Sequence, residues 1–502
     1  MRTELKFAPV SGIATELLAV LAADTQTAKG PDAEPQPVIL SSDPAVQAVA
    51  TAVIGTGEYK AGANETLLLH APAGVAAKRL LIVGLGKAAK ATVHSVREAA
   101  GTAVRFAKPR GIRELVLALP SADSLPAAAT ARTAVEGAFV GDFDPDTYRS
   151  ERKDQSIELL TVVAPADADR AAAEAAFAEG VIVGESQNFA RSLVNEPGNK
   201  LTPTILGQRA AFMAQEVGLD CEVHSTEKLH ELKMGAFWSV SQGSAEPPAL
   251  IVLRYEPEGV AEGPVLGLVG KGITFDTGGI SIKPAANMEK MKYDMGGGAT
   301  MLGAMRALAA LKPSIPIIAV IPATENMPGG RAQKPGDVQV AMSGKTIEVI
   351  NTDAEGRLIL ADAVYYARQL GCTHLIDAAT LTGAIEVALA NVHVGAFGTP
   401  REYLDRFLES AKAVGEKMWP MPMDEEYEEM IKSNIADIRN TGSGKGGGAS
   451  TGAWFIKEFA EDTPWIHLDI ASTCWVDEGR PWLAKGPTGV AIRSIVDFAL
   501  KM

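Results

Sequence analysis

Cysteine is scarce in this sequence, and long apolar runs are missing from it. The chain of 502 residues contains 3 cysteines, Cys221, Cys372 and Cys474, which lie far apart. This number and spacing exclude a disulfide scaffold and a zinc site of paired cysteines, and they are typical of a reducing compartment. No window reaches the roughly 18 apolar residues of a membrane span, and the N-terminus lacks the apolar core of a secretory signal. We therefore expect a cytoplasmic protein that does not contact membranes.

Basic residues are also fewer than acidic ones. There are 47 Lys and Arg against 61 Asp and Glu, so the formal net charge is −14. An acidic protein is a poor candidate for a general binder of the phosphate backbone, and we expect no nucleic-acid partner. Hydrophobic residues make up 47% of the chain, which supplies enough apolar surface for large cores and excludes global disorder.

Several familiar catalytic motifs are absent. The 7 histidines include no H-E-x-x-H pair, and no G-x-S-x-G nucleophile elbow occurs. The glycine-rich segment 441–450 lacks the Walker spacing, and Gly84-Leu85-Gly86 lacks the third glycine of a dinucleotide-binding loop. These absences argue against a zincin, a serine hydrolase and a nucleotide-binding site.

Short apolar strands alternate with helical patterns along the whole chain. This alternation predicts an α/β fold with two domains, each a mixed β-sheet sandwiched by helices. We place an N-terminal α/β domain at 1–165, a linker helix at 166–195 and a C-terminal catalytic domain at 196–502. In the second domain the pattern predicts, among other elements, strands at 237–241, 264–270 and 315–321, and helices at 203–217, 296–311 and 357–370.

Carboxylates and lysines form the most informative constellation. They lie in three segments, GKGITFDTGGISIKP at 270–284, MEKMKYDMGGG at 288–298 and NTDAEGRL at 351–358. Asp294 precedes three glycines and a helix, a place where carboxylates meet ions. Asp353 and Glu355 are two residues apart, so in an extended segment both side chains would share one face.

Clustered carboxylates resist ionising together unless cations lie between them. Two divalent cations, Mn²⁺, Mg²⁺ or Zn²⁺, would bridge shared carboxylates and clamp a hydrolytic water. A lysine could join such a site as a neutral amine. A calcium loop is an alternative reading of 351–356, but Asp362 stands where that loop needs Glu. A two-metal phosphoesterase is another, although it would more often use histidine ligands. Spacing alone leaves the substrate open.

The octapeptide NTDAEGRL resembles the signature of the leucyl aminopeptidase (cytosol aminopeptidase) family at all eight positions. The segments GKGITFDTGGISIKP and MEKMKYDMGGG are similar to the metal-binding stretch of that family, and WIHLDIAST at 465–473 also matches. The sequence is therefore identified as a member of it. The resemblance implies a cocatalytic centre of two divalent ions, Mn²⁺ or Zn²⁺, held by Lys271, Asp276, Asp294, Asp353 and Glu355.

The resemblance also assigns individual roles. Lys271, Asp276, Asp294 and Glu355 would surround the tighter ion, whereas Asp276, Asp353 and Glu355 would surround the more exchangeable one. Lys283 corresponds to the lysine that polarises the scissile carbonyl. Arg357 corresponds to the arginine that binds a bicarbonate, the expected general base. Three further residues match the substrate pocket, namely Met291, Thr380 and Gly383.

The implied activity is release of N-terminal residues, preferably leucine or other hydrophobic residues, from peptides. Ser472 stands where the family usually has Gly, which leaves the residue preference open. The family further implies a homohexamer with a macro-like N-terminal domain that serves assembly or regulation. A DNA-binding, regulatory role of this N-terminal domain is the alternative function, and the acidic composition argues against it.

Overall fold

The computed structural model describes residues 1–27, 34–259 and 263–502. Each of two compact units contains a mixed β-sheet flanked by helices, which confirms the predicted α/β class. The proposed division at 1–165, 166–195 and 196–502 stays a prediction. The two units comprise Met1–Asn188 with Asp477–Gly486, and Phe189–Val476 with Pro487–Met502.

The first unit is built on a seven-stranded sheet in the order β1-β7-β6-β2-β5-β4, with β3 paired to β2. Strands β1, β7, β6, β2 and β5 run parallel, and β3 and β4 are antiparallel to their neighbours. The elements up to the helix that leads into the second unit are β1 (Arg2–Lys6), β2 (Leu17–Asp24), β3 (Pro37–Ile39), α1 (Pro44–Ile54), β4 (Thr66–His70), β5 (Arg79–Lys87), α2 (Val93–Ala107), β6 (Glu114–Ala118), α3 (Ala127–Asp142), β7 (Leu159–Val163) and α4 (Arg170–Asn195).

Strand β2 is the centre of this unit, and all of its residues are buried. Leu17 and Leu21 belong to the apolar cluster formed with α2 and α3. Leu18 and Val20 belong to a second cluster that includes residues of α1. Because side chains alternate along a strand, the two clusters cover opposite faces of the sheet. A strand covered on both faces is continuously apolar, and it therefore lacks the alternation that marks a half-buried strand.

The second unit contains a nine-stranded sheet in the order β17-β16-β19-β15-β10-β12-β9-β8, with β11 also paired to β12. Strands β13, β14 and β18 form a separate three-stranded sheet. The elements are α5 (Pro203–Val217), β8 (Asp220–His224), α6 (Thr226–Glu231), α7 (Gly235–Ser241), β9 (Ala249–Tyr255), β10 (Leu266–Gly270), β11 (Gly272–Asp276), α8 (Gly296–Leu311), β12 (Ile317–Asn326), β13 (Val338–Val340), β14 (Thr346–Glu348), α9 (Gly356–Gln369), β15 (His374–Ala379), α10 (Gly383–Leu389), β16 (Val394–Thr399), α11 (Arg401–Val414), β17 (Met418–Pro420), α12 (Glu425–Glu429), β18 (Ile438–Arg439), α13 (Gly448–Ala460), β19 (Trp465–Asp469), β20 (Trp475–Val476), β21 (Gly486–Pro487) and α14 (Ile492–Leu500).

The middle of the large sheet is parallel. Strands β10, β11, β12, β15 and β19 all run in one direction, whereas β9 and β16 oppose it. The carboxyl ends of the parallel strands therefore meet at one edge of the sheet. Lys271 follows β10 directly, Asp276 ends β11, and Thr380 follows β15. Ligand sites of open α/β sheets form at this edge.

One predicted strand is wrong. Residues 237–241 belong to the helix α7 rather than to a strand. Its aromatic and β-branched residues favour a strand locally, but tertiary contacts decide otherwise. The buried carboxylate of Asp362 accepts hydrogen bonds from the backbone N–H groups of Phe237, in the first turn of α7, and of Met342. No helix within the described ranges combines the length and the hydropathy needed to cross a bilayer.

Candidate active site

Lys271 lies at the carboxyl end of β10, almost completely buried among carboxyl groups. Its ammonium nitrogen is 2.7 Å from Asp294 Oδ2 and 2.8 Å from Glu355 Oε1, and it donates a hydrogen bond of 2.9 Å to the Thr380 carbonyl. Asp294 lies in a 3₁₀ turn, and Glu355 is the residue that precedes α9. Three separate segments thus meet at a single lysine.

Lys283 forms the second ionic centre of the site. Its ammonium nitrogen is 3.0 Å from Asp276 Oδ2 and 2.6 Å from Asp353 Oδ1. The side chains of Lys283 and Asp353 are 21% and 30% exposed, whereas that of Asp276 is only 3% exposed. The cluster is therefore open to solvent on the side of Lys283 and Asp353, and closed on the side of Lys271.

Three carboxylates converge closely enough to share a metal ion. One oxygen from each of Asp276, Asp353 and Glu355 lies within 4.8 Å of the others. Asp276 keeps its orientation because its Oδ1 accepts hydrogen bonds from the Gly278 N–H and the Asn326 side-chain amide, both at 2.8 Å. Oxygen ligands with fixed directions suit hard or borderline divalent cations.

The electrostatics of the cluster favour added positive charge. Burial raises the pKa of Asp294, Glu355 and Asp353, and mutual repulsion with Asp276 adds to the effect. Burial alone would lower the pKa of Lys271 and Lys283, but the surrounding carboxylates outweigh it and raise both values. The two ammonium groups supply cationic charge that the carboxylates need, and divalent cations would be attracted for the same reason.

Glu355 carries the observation that best tests whether a metal fits. Its Oε2 is buried and has no hydrogen-bond partner within the part of the chain that the structure describes. A buried carboxylate oxygen without a partner is costly in a folded protein. Its convergence with Asp276 and Asp353 shows that the residues present fit a divalent cation.

Two glycines leave the space that this packing needs. Gly278 has a φ of +87°, and a Cβ there would lie 2.7 Å from Asp353 Oδ1. A Cβ on Gly356, the first residue of α9, would lie 2.8 Å from the Cδ, Cε and Nζ atoms of Lys271. Side chains at these positions would therefore displace the charged groups.

Arg357 lies in the first turn of α9, next to the cluster in sequence. It is 7% exposed, and its Nη1 donates a hydrogen bond of 2.8 Å to the Asn440 carbonyl. Burial lowers the pKa of Arg357 to about 10, although Glu355 and Asp469 oppose the change. The guanidinium is therefore still charged at neutral pH and can bind an anion.

Both regions of the chain match known domains. The model of the "Cytosol aminopeptidase family, catalytic domain" matches residues 188–496, and that of its N-terminal domain matches residues 29–152. The chain belongs to the cytosol aminopeptidase family. It is accordingly a peptidase, a hydrolase that acts at the amino end of its substrates.

Relatives and solved structures agree with this membership. The chain is 59% identical to a probable cytosol aminopeptidase of Acidobacterium capsulatum, and 54% identical to one of Koribacter versatilis, with 99% of both partners covered in each comparison. Among solved structures it resembles a mutant of tomato leucine aminopeptidase, with a TM-score of 0.87, 34% identity and coverage of 100% and 96%. It also resembles the bottromycin maturation enzyme BotP in complex with Mn, with a TM-score of 0.84, 33% identity and coverage of 97% and 99%.

In the aminopeptidase site, the arrangement of Asp353 and Glu355 differs from the extended one that their spacing suggested. Asp353 and Glu355 do not share one face of an extended segment, because residues 351–355 form a turn, and Glu355 already has helical angles of φ −79° and ψ −33°. The turn directs Asp353 toward Lys283 and Glu355 toward Lys271. Both carboxylates still reach Asp276.

The residues expected to line the pocket of this aminopeptidase occupy different environments. Thr380 is buried, and its hydroxyl donates a hydrogen bond of 2.7 Å to Asp294 Oδ1. Met291 is half-buried in the same 3₁₀ turn as Asp294, and Gly383 is exposed at the start of α10. The structure thus places Thr380 in direct contact with a predicted ligand, while the pocket role of all three stays a prediction.

Two supporting residues of the aminopeptidase site were not identified from sequence. Asn326 ends β12, and its amide bonds both Asp276 and the Thr352 carbonyl. Asp469 ends β19 and accepts hydrogen bonds from the Leu381 N–H and the Thr382 hydroxyl. The signal for Asn326 was a polar side chain at the end of a buried strand, whereas Asp469 lies in the matched segment WIHLDIAST, which does not show what its carboxylate contacts.

Proposed function

We propose that this chain is a metal-dependent aminopeptidase that hydrolyses the first peptide bond of peptides with a leucine or another hydrophobic residue at the N-terminus. The observation that carries this proposal is the convergence of Asp276, Asp353 and Glu355 within 4.8 Å, beside Lys271 and Lys283. Family membership supports the peptidase class, and the Mn-bound relative supports a divalent metal.

Two ions would be held by overlapping sets of ligands. Lys271, Asp294, Asp276 and Glu355 form the buried set, which suits the tighter ion. Asp353 joins Asp276 and Glu355 on the open side, which suits the more exchangeable one. Since a metal would replace the ammonium charge at Lys271, this lysine would bind it as a neutral amine. Mn²⁺ and Zn²⁺ are both compatible with such a mixed oxygen and nitrogen set.

When bound, the cations would supply an activated water and polarise the carbonyl of the scissile bond. Lys283 stands on the open side, so its ammonium group can donate to the oxygen that gains negative charge in the transition state. The free α-amine of the substrate would bind at the exchangeable site, which would restrict cleavage to the first residue.

Arg357 would contribute through an anion rather than by direct proton transfer. A guanidinium can hold a bicarbonate in a bidentate manner. A bicarbonate beside the cluster would accept the proton of the attacking water, and this arrangement needs no histidine or glutamate base. The proposal rests on the burial of the Arg357 guanidinium and on its position two residues after Glu355.

Hydrolysis of leucyl-p-nitroanilide tests the function directly. We expect turnover that Mn²⁺ stimulates and that a chelator abolishes, with restoration on adding Mn²⁺ back. The matched control substrate is N-acetyl-leucyl-p-nitroanilide, which has no free amine and should resist cleavage. Chelator-resistant turnover, or equal cleavage of both substrates, would contradict the proposed mechanism. The homohexamer, the cytoplasmic location and the DNA-binding alternative stay predictions, and no observation on the described residues favours DNA binding.

A further inference from the structure

Asn440 is a fully buried residue outside every predicted ligand set. It follows β18, the short strand that pairs in parallel with β14. Its backbone N–H continues this pairing with a bond of 3.0 Å to the Glu348 carbonyl. The side chain of Asn440 contacts the segment 350–354, which follows β14.

The amide of Asn440 uses its full hydrogen-bonding capacity on the backbone of that segment. Its Oδ1 accepts from the N–H groups of Ile350, at 2.7 Å, and Asn351, at 3.3 Å. Its Nδ2 donates to the carbonyls of Asn351, at 2.6 Å, and Ala354, at 3.3 Å. A side-chain amide has this number of donors and acceptors, so the network also fixes which atom is oxygen and which is nitrogen.

The segment held in this way carries two predicted metal ligands. Asp353 lies inside it, and its N–H donates to the side chain of Asn351 at 2.9 Å. Glu355 follows Ala354 directly. Residues 351–355 lie outside any strand or helix. The Glu355 carbonyl accepts hydrogen bonds from the first turn of α9, but the position of the residues before it depends on side chains from elsewhere. The backbone carbonyl of Asn440 also accepts the bond from Arg357 Nη1.

We propose that Asn440 is a positioning residue of the reaction, which holds the turn of Asp353 and Glu355, and with it Arg357, in the arrangement that binds metal and substrate. This inference rests on the proposed two-metal function. It assigns to Asn440 a role in metal affinity and turnover that goes beyond joining β14 to β18. Outer residues that orient metal ligands typically change affinity or activity by about 10- to 100-fold when they are replaced.

Two substitutions separate hydrogen bonding from shape and charge. Asn440→Ala removes all four side-chain bonds, but it keeps the backbone carbonyl that Arg357 contacts. Asn440→Asp keeps the shape and the acceptor side, while it places an oxygen against the carbonyls of Asn351 and Ala354. If the added carboxylate of Asn440→Asp acted only through its negative charge, it would strengthen cation binding. Weaker binding in both variants is therefore the signature of lost positioning.

The matched control is Glu416→Gln, which alters a buried side chain that holds a different part of the same unit. Glu416 accepts hydrogen bonds from the N–H groups of Ala491 and Ser494, at the start of α14. This substitution should lower the melting temperature without affecting Mn²⁺ binding. It shows how much loss of affinity follows from destabilisation alone.

The experiment measures Mn²⁺ binding to the chelator-treated full chain by electron paramagnetic resonance of the free ion, together with kcat and KM for leucyl-p-nitroanilide at saturating Mn²⁺. We expect the dissociation constant of the more exchangeable Mn²⁺ to be at least about 10-fold higher in both Asn440 variants than in the wild type. We also expect kcat to fall about 10-fold or more, with little change in KM. Values equal to those of the wild type, or to those of Glu416→Gln, in either variant that folds would overturn the inference. If the wild-type chain neither binds Mn²⁺ nor cleaves, the proposed function fails together with it.

Discussion

Lys283 contacts two carboxylates of the site and is also accessible to solvent. Its ammonium group forms ion pairs with Asp276 and Asp353, yet 21% of the side chain is exposed. Lys271, in contrast, is sealed between Asp294 and Glu355. Two lysines of one cluster can therefore differ in role, since only the exposed one can reach a substrate oxygen.

Replacement of this exposed lysine tests its role. We expect Lys283→Ala to lower kcat by about 100-fold or more, because one preorganised donor to the transition state is lost. The Mn²⁺-loaded variant should stay folded, since the side chain is partly solvated and bound ions would supply positive charge to Asp276 and Asp353. Lys334→Ala, which removes an exposed lysine paired with Asp337, is the control and should leave kcat unchanged. Wild-type kcat in Lys283→Ala would exclude the assigned role.

Helix α9 connects the turn of Asp353 and Glu355, the proposed metal ligands, to the core of its unit. Its first residue, Gly356, lies against Lys271, and its buried face packs in the same apolar cluster as residues of α7 and α13. Few side chains could occupy the first position, because Lys271 is held there by three contacts. The start of the helix therefore sets the position of the buried lysine.

A methyl group at this position should disturb the site more than the fold. We expect Gly356→Ala to displace Lys271 and to reduce turnover at least about 10-fold, while the circular dichroism spectrum stays that of the wild type. The matched control is Gly330→Ala, since a Cβ at Gly330 would have no atom within 4 Å. Equal turnover in the two variants would show that Lys271 can move without consequence.

The contact between α7 and α9 contains a buried acid whose charge depends on pH. Burial raises the pKa of Asp362 to about 7, although the N–H groups of Met342 and Phe237 oppose this rise. The unfolded chain has a value near 3.9. The folded state thus binds an extra proton between about pH 4 and pH 7, and the stabilisation by this group falls as pH rises through that range.

Asp362→Asn removes the ionisable group and should therefore remove its contribution to the pH dependence of stability. We expect the loss of unfolding free energy caused by this substitution to be larger at pH 5 than at pH 8, by roughly 2–3 kcal/mol. Urea unfolding of the chelator-treated protein at both pH values measures it. The control is the exposed Asp405, whose replacement by Asn should have the same small effect at both. A pH-independent difference for Asp362→Asn would contradict the assigned pKa.

At the scale of the whole molecule, metal binding and stability are linked. The proposed ligands come from segments as distant in sequence as Lys271 and Glu355, so ions that bind only the folded chain would stabilise it against unfolding. We expect Mn²⁺ at 100 times its dissociation constant to add about 2.7 kcal/mol per site. Scanning calorimetry with and without chelator measures the rise in melting temperature. Asp353→Ala should reduce the rise, and no rise in the wild type would mean that Mn²⁺ does not bind these residues.

The sequence alone determined the class of fold, the family and the residues expected to bind metal. It did so because NTDAEGRL and the lysine- and aspartate-bearing segments before it are local patterns that the chain displays without folding. Alternation of strands and helices is likewise local, although β2 escaped notice, since its sequence LLAVLAAD is rich in Leu and Ala, which favour a helix locally.

The tertiary structure decided what depends on partners distant in the chain. It turned residues 237–241 into a helix, because Asp362 caps that segment. It placed Asp353 and Glu355 on a turn that directs them toward two different lysines. It also revealed Asn326 and Asn440, whose side-chain amides bond groups that are distant in the sequence. A hydrogen bond between residues 89 positions apart leaves no trace in the spacing of residues, and only the folded chain shows it.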